Sequence, residues 1–427
     1  MTETLAIVGA GAKAVAVAAK AAVLRELGVE TPDVVAIERS GVAANWIAGG
    51  GWTDGRQRLG TSPEKDVGFP YRSALLPGRD AEIDERMMRW SWQAYLIAMD
   101  QFVGWVDRGR PAPTHDTWSR YLRWVADMVG LKVVHGELIQ MAVEGPRWKL
   151  HTREENLFCD AVMITGPGQP QRSILSGDPR MLSIAQFWER TSSHDRIVAE
   201  NVAVIGGGET AASMLNELFH HRVSTITAIS PQATLFTRGE GYFENSLFSD
   251  PTQWRTLTLS ERRDCIARTD RGVFSARVQE LLLADERIKH LRGRVANVVD
   301  QHERIRITLQ TEHGEMRESV HEFDLVIDGS GADALWFLPL LSQDALDMLE
   351  LGLGGPLSGE RLEESIGHDL AVTGVTPKLV LPNLSGLNQG PGFPNLSCLG
   401  LLSDRVLGAD AAAVTSRSGR SGEYQSV

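Results

Sequence analysis

Two glycine turns of the same form, Gly9-Ala-Gly11-Ala-Lys13-Ala14 and Gly206-Gly-Gly208-Glu209-Thr210-Ala211, constrain this chain more than any other feature. Each follows a short apolar run and opens a helix-length segment. Residues 4–8 (TLAIV) have the unbroken apolarity of a strand buried on both faces. After the first turn, Val15 to Leu27 reads as a helix that Gly28 stops, and Val34–Ile37 reads as a second strand ending in Glu38. The order recurs as a strand at Asn201–Ile205, a helix at Ala211–Phe219 and a strand at Ser224–Ile229. Strand, glycine turn, helix, strand is the opening of a dinucleotide-binding fold. A chain carrying it twice reads as α/β, with two Rossmann-like domains and the second inserted into the first.

The turns also specify chemistry. Gly9 permits a tight turn, Gly11 lets a diphosphate approach the backbone, and the small Ala14 lets helix and strand pack. Free N–H groups and the positive end of the helix then face the anion. Glu38, at the end of the next strand, suits a ribose hydroxyl. In the second unit Gly206, Gly208 and Ala211 repeat the pattern, but the following strand ends in Ser230, with no acid. Ser230, Arg238 or Thr210 could instead hold a 2′-phosphate, which favours NADPH over NADH.

Two dinucleotide units imply two cofactors meeting at an interface, FAD on the first and NADPH on the second. The expected layout is 1–195 for the first part of the FAD domain, 196–335 for the NADPH domain and 336–414 for the rest of the FAD and substrate domain. The tail 415–427 is polar and expected to be disordered. An aromatic-rich stretch lies at 85–125. The related phrases CDAVMITGPG and FDLVIDGSG each deliver a strand into a glycine turn. Gly329 and Gly331, with Gly390 and Gly392, are expected to let backbone approach the flavin. The GGG at 49–51 reads only as a loop turn.

The bulk numbers exclude. A net charge of −12 without a Lys/Arg stripe argues against nucleic acid. Cys159, Cys265 and Cys398 form no CxxC pair and no metal spacing, which argues against a dithiol flavin reductase and leaves dioxygen as the simplest electron acceptor. No apolar run is long enough for a transmembrane helix. The Ala/Val-rich segment from Leu5 to Leu24 lacks a basic leader and is broken by Lys13 and Lys20, so it does not read as a signal peptide. The expected location is cytoplasmic.

The phrases GAGAKAVAVAAKA, GGWTDG, LGTSPEKDVGFPYRSAL, VAVIGGGETAASMLNELF, TRGEGYFENSLFSDP and GLNQGPGFPNLSCLGLLSDRVLG carry a resemblance over residues 5–408. The chain resembles the flavin-dependent N-hydroxylating monooxygenases that oxidise the side-chain amine of lysine or ornithine for siderophores, and most of all its mycobactin-type lysine branch. The resemblance implies FAD, NADPH and dioxygen, oxygen transfer from a flavin hydroperoxide, and lysine, free or acylated, as substrate. It implies no catalytic side chain and no metal, since the flavin carries the chemistry, and it suggests a homo-oligomer. It places Lys65 against the substrate α-carboxylate, and Asn245, three residues before Phe248, beside it. Asp270 and a C-terminal serine, Ser397 with Ser403 as the alternative, also fall to the substrate. Trp46 is implied near the flavin. The chain departs from the pattern at Gly60 and Glu209, where relatives tend to carry glutamine.

A magnitude shapes the pocket. The attacked amine must be neutral, and at pH 7.5 removing a proton from a lysine side chain costs about 4 kcal/mol. A dry pocket lowers that cost and a nearby carboxylate raises it. The substrate is therefore expected to be held by its α-carbon end, with Asp270 near the α-amine. Two other readings are a broader flavin monooxygenase acting on sulfur or carbonyl compounds and a non-catalytic flavoprotein scaffold. The first usually carries a histidine where this chain has MLSIAQFW at 181–188.

Overall fold

The computed structural model describes residues 2–168, 178–193, 196–313 and 315–408. The expected disordered tail lies outside them. Two five-stranded parallel sheets organise the chain. The first has the order Lys378–Val380, Ala161–Ile164, Thr4–Val8, Asp33–Glu38, Lys132–His135. The second has the order Ile288–Arg292, Arg222–Ser230, Val198–Ile205, Leu325–Asp328, Met181–Leu182. The strand entering each glycine turn is central, so both of its faces are covered, as its continuous apolarity requires.

The duplication extends beyond the turns. Each unit carries a three-stranded antiparallel meander, Leu138–Glu144 to Asn156–Cys159 in the first and Arg294–Gln301 to Glu315–Phe323 in the second. Each meander feeds the strand that flanks the glycine strand on its other side. Gly9 donates its N–H to Ile37 in one unit, and Gly206 donates to Ile229 in the other. Both glycines have positive φ, +98° and +134°. A Cβ on Gly9 would lie 2.7 Å from Thr165 Oγ1, and one on Gly206 would strike the Gly329 carbonyl. Conformation and space both demand glycine at these two positions. The helices Ala12–Glu26 and Glu209–Leu218 follow at once, earlier than the expected starts at 15 and 211.

The second sheet reaches further back in sequence than the expected boundary at 196. Met181–Leu182 pairs with Leu325–Asp328, and Ile184, Phe187 and Trp188 pack in the second core with Val202 and Met214. Sequence periodicity cannot show this, because a two-residue edge strand has no pattern of its own. From Phe337 onward the chain returns to the first core. The helix Leu399–Gly408 packs on Ala12–Glu26, and a buried ion pair, Lys20–Asp404 at 2.6 Å, joins them. The aromatic-rich stretch packs around Trp92, whose ring lies 5.9 Å from Trp118 and 5.6 Å from Tyr121. Among the described residues no helix is long and apolar enough to cross a membrane, and no group of metal-binding side chains is assembled.

Candidate active site

A cavity of about 1500 Å³ opens above the first glycine turn. Its floor is Gly9, Gly11 and Lys13, and its walls come from both units. A Cβ on Gly11 would meet nothing nearer than Asn45 Oδ1 at 3.9 Å, so the turn faces open space. Ala14 is buried in the helix behind it, as small-residue packing requires. Glu38 lines the cavity, and its carboxylate is fixed by the N–H groups of Ala10 (3.1 Å) and Ser40 (2.9 Å). The free N–H groups, a fixed strand-end acid and a space of this volume fit a dinucleotide. Trp46 also lines the cavity and stands edge-on to His115 at 4.8 Å. Burial lowers the His115 pKa to about 4, so the ring is neutral.

Two features went unread in the sequence. Gly49, Gly50 and Gly51 line this cavity, and a Cβ on Gly50 would collide with the Ala44 carbonyl. Lys13, inside the glycine turn, donates to Asn383 Oδ1 (2.8 Å) and the Pro394 carbonyl (2.7 Å). Burial lowers its pKa to about 8, against the pull of Asp270. Asn383 in turn donates to the Gly166 carbonyl at 2.8 Å, so three remote segments of the wall are tied through one ammonium. A cation at an unconstrained position inside the turn, next to the expected diphosphate site, was the available signal.

Beside the cavity a second group assembles. Lys65 Nζ donates to Asn245 Oδ1 at 2.7 Å and lies 3.5 Å from Ser397 Oγ. Burial, followed by the field of Arg238, lowers the Lys65 pKa to about 8. The Asn245 amide is oriented by donating to the Glu240 carbonyl at 2.6 Å. Phe248, three residues on, is buried. Ser403, the alternative serine, is instead fully buried and bonded to the Leu399 carbonyl of its own helix. Asp270 is not bonded to Lys65. It lines the large cavity, where burial raises its pKa against the pull of Arg271.

Asp66 explains why Lys65 is held where it is. The carboxylate is buried and accepts from Trp92 N (2.9 Å), Tyr71 Oη (2.8 Å) and Gly68 N (3.1 Å). The aromatic cluster therefore anchors the loop, and Lys65, the preceding residue, projects from it. Burial outweighs these bonds and raises the Asp66 pKa to about 6.

Several expected cofactor positions fall elsewhere. Gly392 is packed against the Phe248 carbonyl and Cys398 rather than the cavity, because the loop 390–398 folds onto the end of the helix Tyr242–Ser249. Gly331 lies next to the cavity-lining Ala332–Ala334. Arg238 donates to the Gly60 carbonyl (2.7 Å) and pairs with Glu240 (2.9 Å), and the Ser230 hydroxyl is buried against His290 at 3.0 Å. These two candidates for a 2′-phosphate are thus not brought together. Gly60 faces not the cavity but Glu209, whose carboxylate accepts from Ser275 N (2.7 Å) and Ser275 Oγ (3.0 Å). Thr210 follows Glu209 in the first turn of the helix, and Ala211 is buried against Gly206 and Gly329. Gln232 lies over the second turn, wedged between Gly207 and Gly272, with its buried Oε1 lacking a hydrogen bond.

Residues 84–332 match the family model described as L-lysine 6-monooxygenase/L-ornithine 5-monooxygenase. The chain is 75% identical over 407 residues to the L-lysine N6-monooxygenase MbtG of Mycolicibacterium paratuberculosis, covering 95% of each chain. It is 71% identical over 429 residues to L-lysine N6-monooxygenase MbtG of Mycobacterium tuberculosis, covering both chains completely. Among solved structures, lysine monooxygenase NbtG from Nocardia farcinica, described as having an unprecedented NADPH domain conformation, superposes with a TM-score of 0.86. It is 52% identical and covers 95% of this chain and all of its own.

Proposed function

The chain belongs to the L-lysine 6-monooxygenase/L-ornithine 5-monooxygenase family, and on that premise we propose that it uses FAD, NADPH and dioxygen to N-hydroxylate the ε-amine of L-lysine for mycobactin-type siderophores. The observation that carries the assignment is the Lys65–Asn245–Ser397 group beside the dinucleotide cavity.

FAD fits the large cavity: Gly9 and Gly11 would face its diphosphate, Glu38 a ribose, and Lys13 and Trp46 the walls around it. When bound, the flavin supplies oxygen activation with electrons from NADPH. The residues of this chain hold and orient the amino acid. The Lys65 ammonium anchors the α-carboxylate as a compact charge, and Asn245 and Ser397 add hydrogen-bonding groups around it. All three act at the α-carbon end, which leaves the ε-nitrogen free of fixed charge. That matters because keeping the amine neutral at pH 7.5 already costs about 4 kcal/mol. An N6-acylated lysine delocalises the same lone pair into its carbonyl, so the free ε-amine is the substrate form this reading requires. Asp270, on the cavity wall near Lys13, suits the α-amine.

The test gives the purified protein FAD, NADPH and air with L-lysine, L-ornithine or N6-acetyl-lysine, and measures hydroxylamine. N-hydroxylysine from L-lysine is expected. No hydroxylamine from any of the three would overturn the reading. Lysine and ornithine differ by one methylene, so discrimination of roughly 10–200-fold is the expected ceiling.

A further inference from the structure

Gly60 and Glu209, the two departures noted in the sequence, touch each other. A Cβ on Gly60 would stand 2.5 Å from Glu209 Oε1 and 3.6 Å from Ser275 Oγ. The carboxylate is not free to retreat without cost, because Ser275 holds both of its oxygens, through its backbone N–H and its hydroxyl. Around this contact the second unit grips the loop 56–61 of the first along its length. Arg277 donates to the Leu59 (3.5 Å) and Thr61 (2.9 Å) carbonyls, and Arg238 to the Gly60 carbonyl between them (2.7 Å). At the far end of the helix Glu209–Leu218, Glu217 accepts from Arg56 (3.4 Å) and Gln57 (3.3 Å). The gripped loop runs directly into the turn in which Lys65 N–H bonds Ser62 O at 3.0 Å.

We propose that Glu209 fills the notch left by Gly60 and, with Arg238 and Arg277, is a positioning residue through which the NADPH unit sets how tightly Lys65 holds the amino acid. On its own side the loop is held through residues 56–59: Arg56 and Gln57 donate to the Asp54 carboxylate, His115 N–H donates to Gln57 O, Arg58 to Ala112 O, and Leu59 N–H to Pro113 O. Beyond Leu59, the Gly60 and Thr61 carbonyls accept from Arg238 and Arg277 of the second unit. The placement of Gly60 and Thr61, the end that leads to Lys65, therefore depends on how closely the second unit docks. Arg238 and Arg277 also lower the Lys65 pKa and Glu240 raises it, so the same docked surface sets the field at the anchor. By linkage, a nucleotide that alters docking of the second unit alters lysine affinity, and lysine alters nucleotide affinity by the same factor. The inference rests on the lysine-hydroxylase reading for the identity of the amino acid.

The test is a double-mutant cycle on the FAD-loaded protein, read as the Kd for L-lysine by equilibrium titration and as KM and kcat. Gly60→Ala is expected to weaken lysine binding about tenfold, the scale of modest overpacking, with FAD content retained. Gly60→Ala combined with Glu209→Ala is expected to return to within about threefold of wild type, because the clash is gone. Arg277→Met, which touches no ligand in this reading, is expected to raise the lysine Kd severalfold with kcat unchanged. Additive losses in the double variant, or unaltered lysine affinity in both Gly60→Ala and Arg277→Met, would overturn the proposal. Absence of N-hydroxylysine from wild type would sink the parent reading instead, while the Kd cycle still reports on the contact.

Discussion

Lys65 is the residue on which the proposed chemistry turns, and its charge state is open to titration. Removing it deletes a charge-assisted bond to the substrate carboxylate. Lys65→Ala is expected to raise the lysine KM by roughly 10–150-fold, the equivalent of about 1.5–3 kcal/mol, while NADPH oxidation continues. With the Lys65 pKa lowered to about 8, the anchor loses its proton as pH rises through that value. The lysine Kd is therefore expected to climb above pH 8, and Lys65→Arg, which stays charged, to flatten the climb. An equilibrium titration from pH 7 to 9.5 checks it; an unchanged alkaline limb in the arginine variant would assign the titration to another group, with Lys13 the first candidate. Asp66 acts on stability, also with a loss as pH rises but in a more acid range. Its folded pKa is raised to about 6 from an ordinary value near 3.8. Its contribution is fully present below the unfolded value and is lost as pH rises from about 4 to 6. Denaturant unfolding of Asp66→Asn should lose that slope, and an unchanged slope would place the titration elsewhere.

At the scale of elements, the helix after the first glycine turn, Ala12–Glu26, is the packing centre of the first unit. It is alanine-rich and almost wholly buried, with sheet on one side and the C-terminal helix on another. Lys20 within it is 1% exposed and paired with Asp404. Cutting only one side leaves an uncompensated buried charge, so Asp404→Ala is expected to cost about 3–5 kcal/mol. Lys20→Met with Asp404→Leu should be near neutral by comparison, and chemical denaturation of both variants decides it. A double variant as unstable as the single one would mean that packing, not charge, dominates there. The strand–turn–helix order was legible because its causes are local: apolar runs, a turn needing glycine and a helix needing small residues. The Met181–Leu182 edge strand and the early entry into the second unit were not, because pairing with Leu325–Asp328 is set by a partner more than 140 residues away.

For the whole molecule, the large cavity ties the units together. Its lining runs from Val8 and Glu38 through Gly136, Thr165 and Trp188 to Asp270, Trp336 and Asn383. A ligand filling it binds only the assembled fold, so FAD at a hundred times its Kd should stabilise the protein by about 2.7 kcal/mol. Calorimetry with and without FAD measures this, and an unmoved transition would place the flavin outside the cavity. The sequence by itself determined the two dinucleotide units, the dinucleotide turn with its strand-end acid and the absence of a cysteine redox pair, since each depends on neighbours a few residues apart. Only the tertiary structure decided that Lys65 meets residues 180 and 332 positions away, that Arg238 turns to Gly60 and that Gly392 packs against backbone. Those meetings depend on sheet order and on the docking of one unit on the other, and no local spacing encodes either.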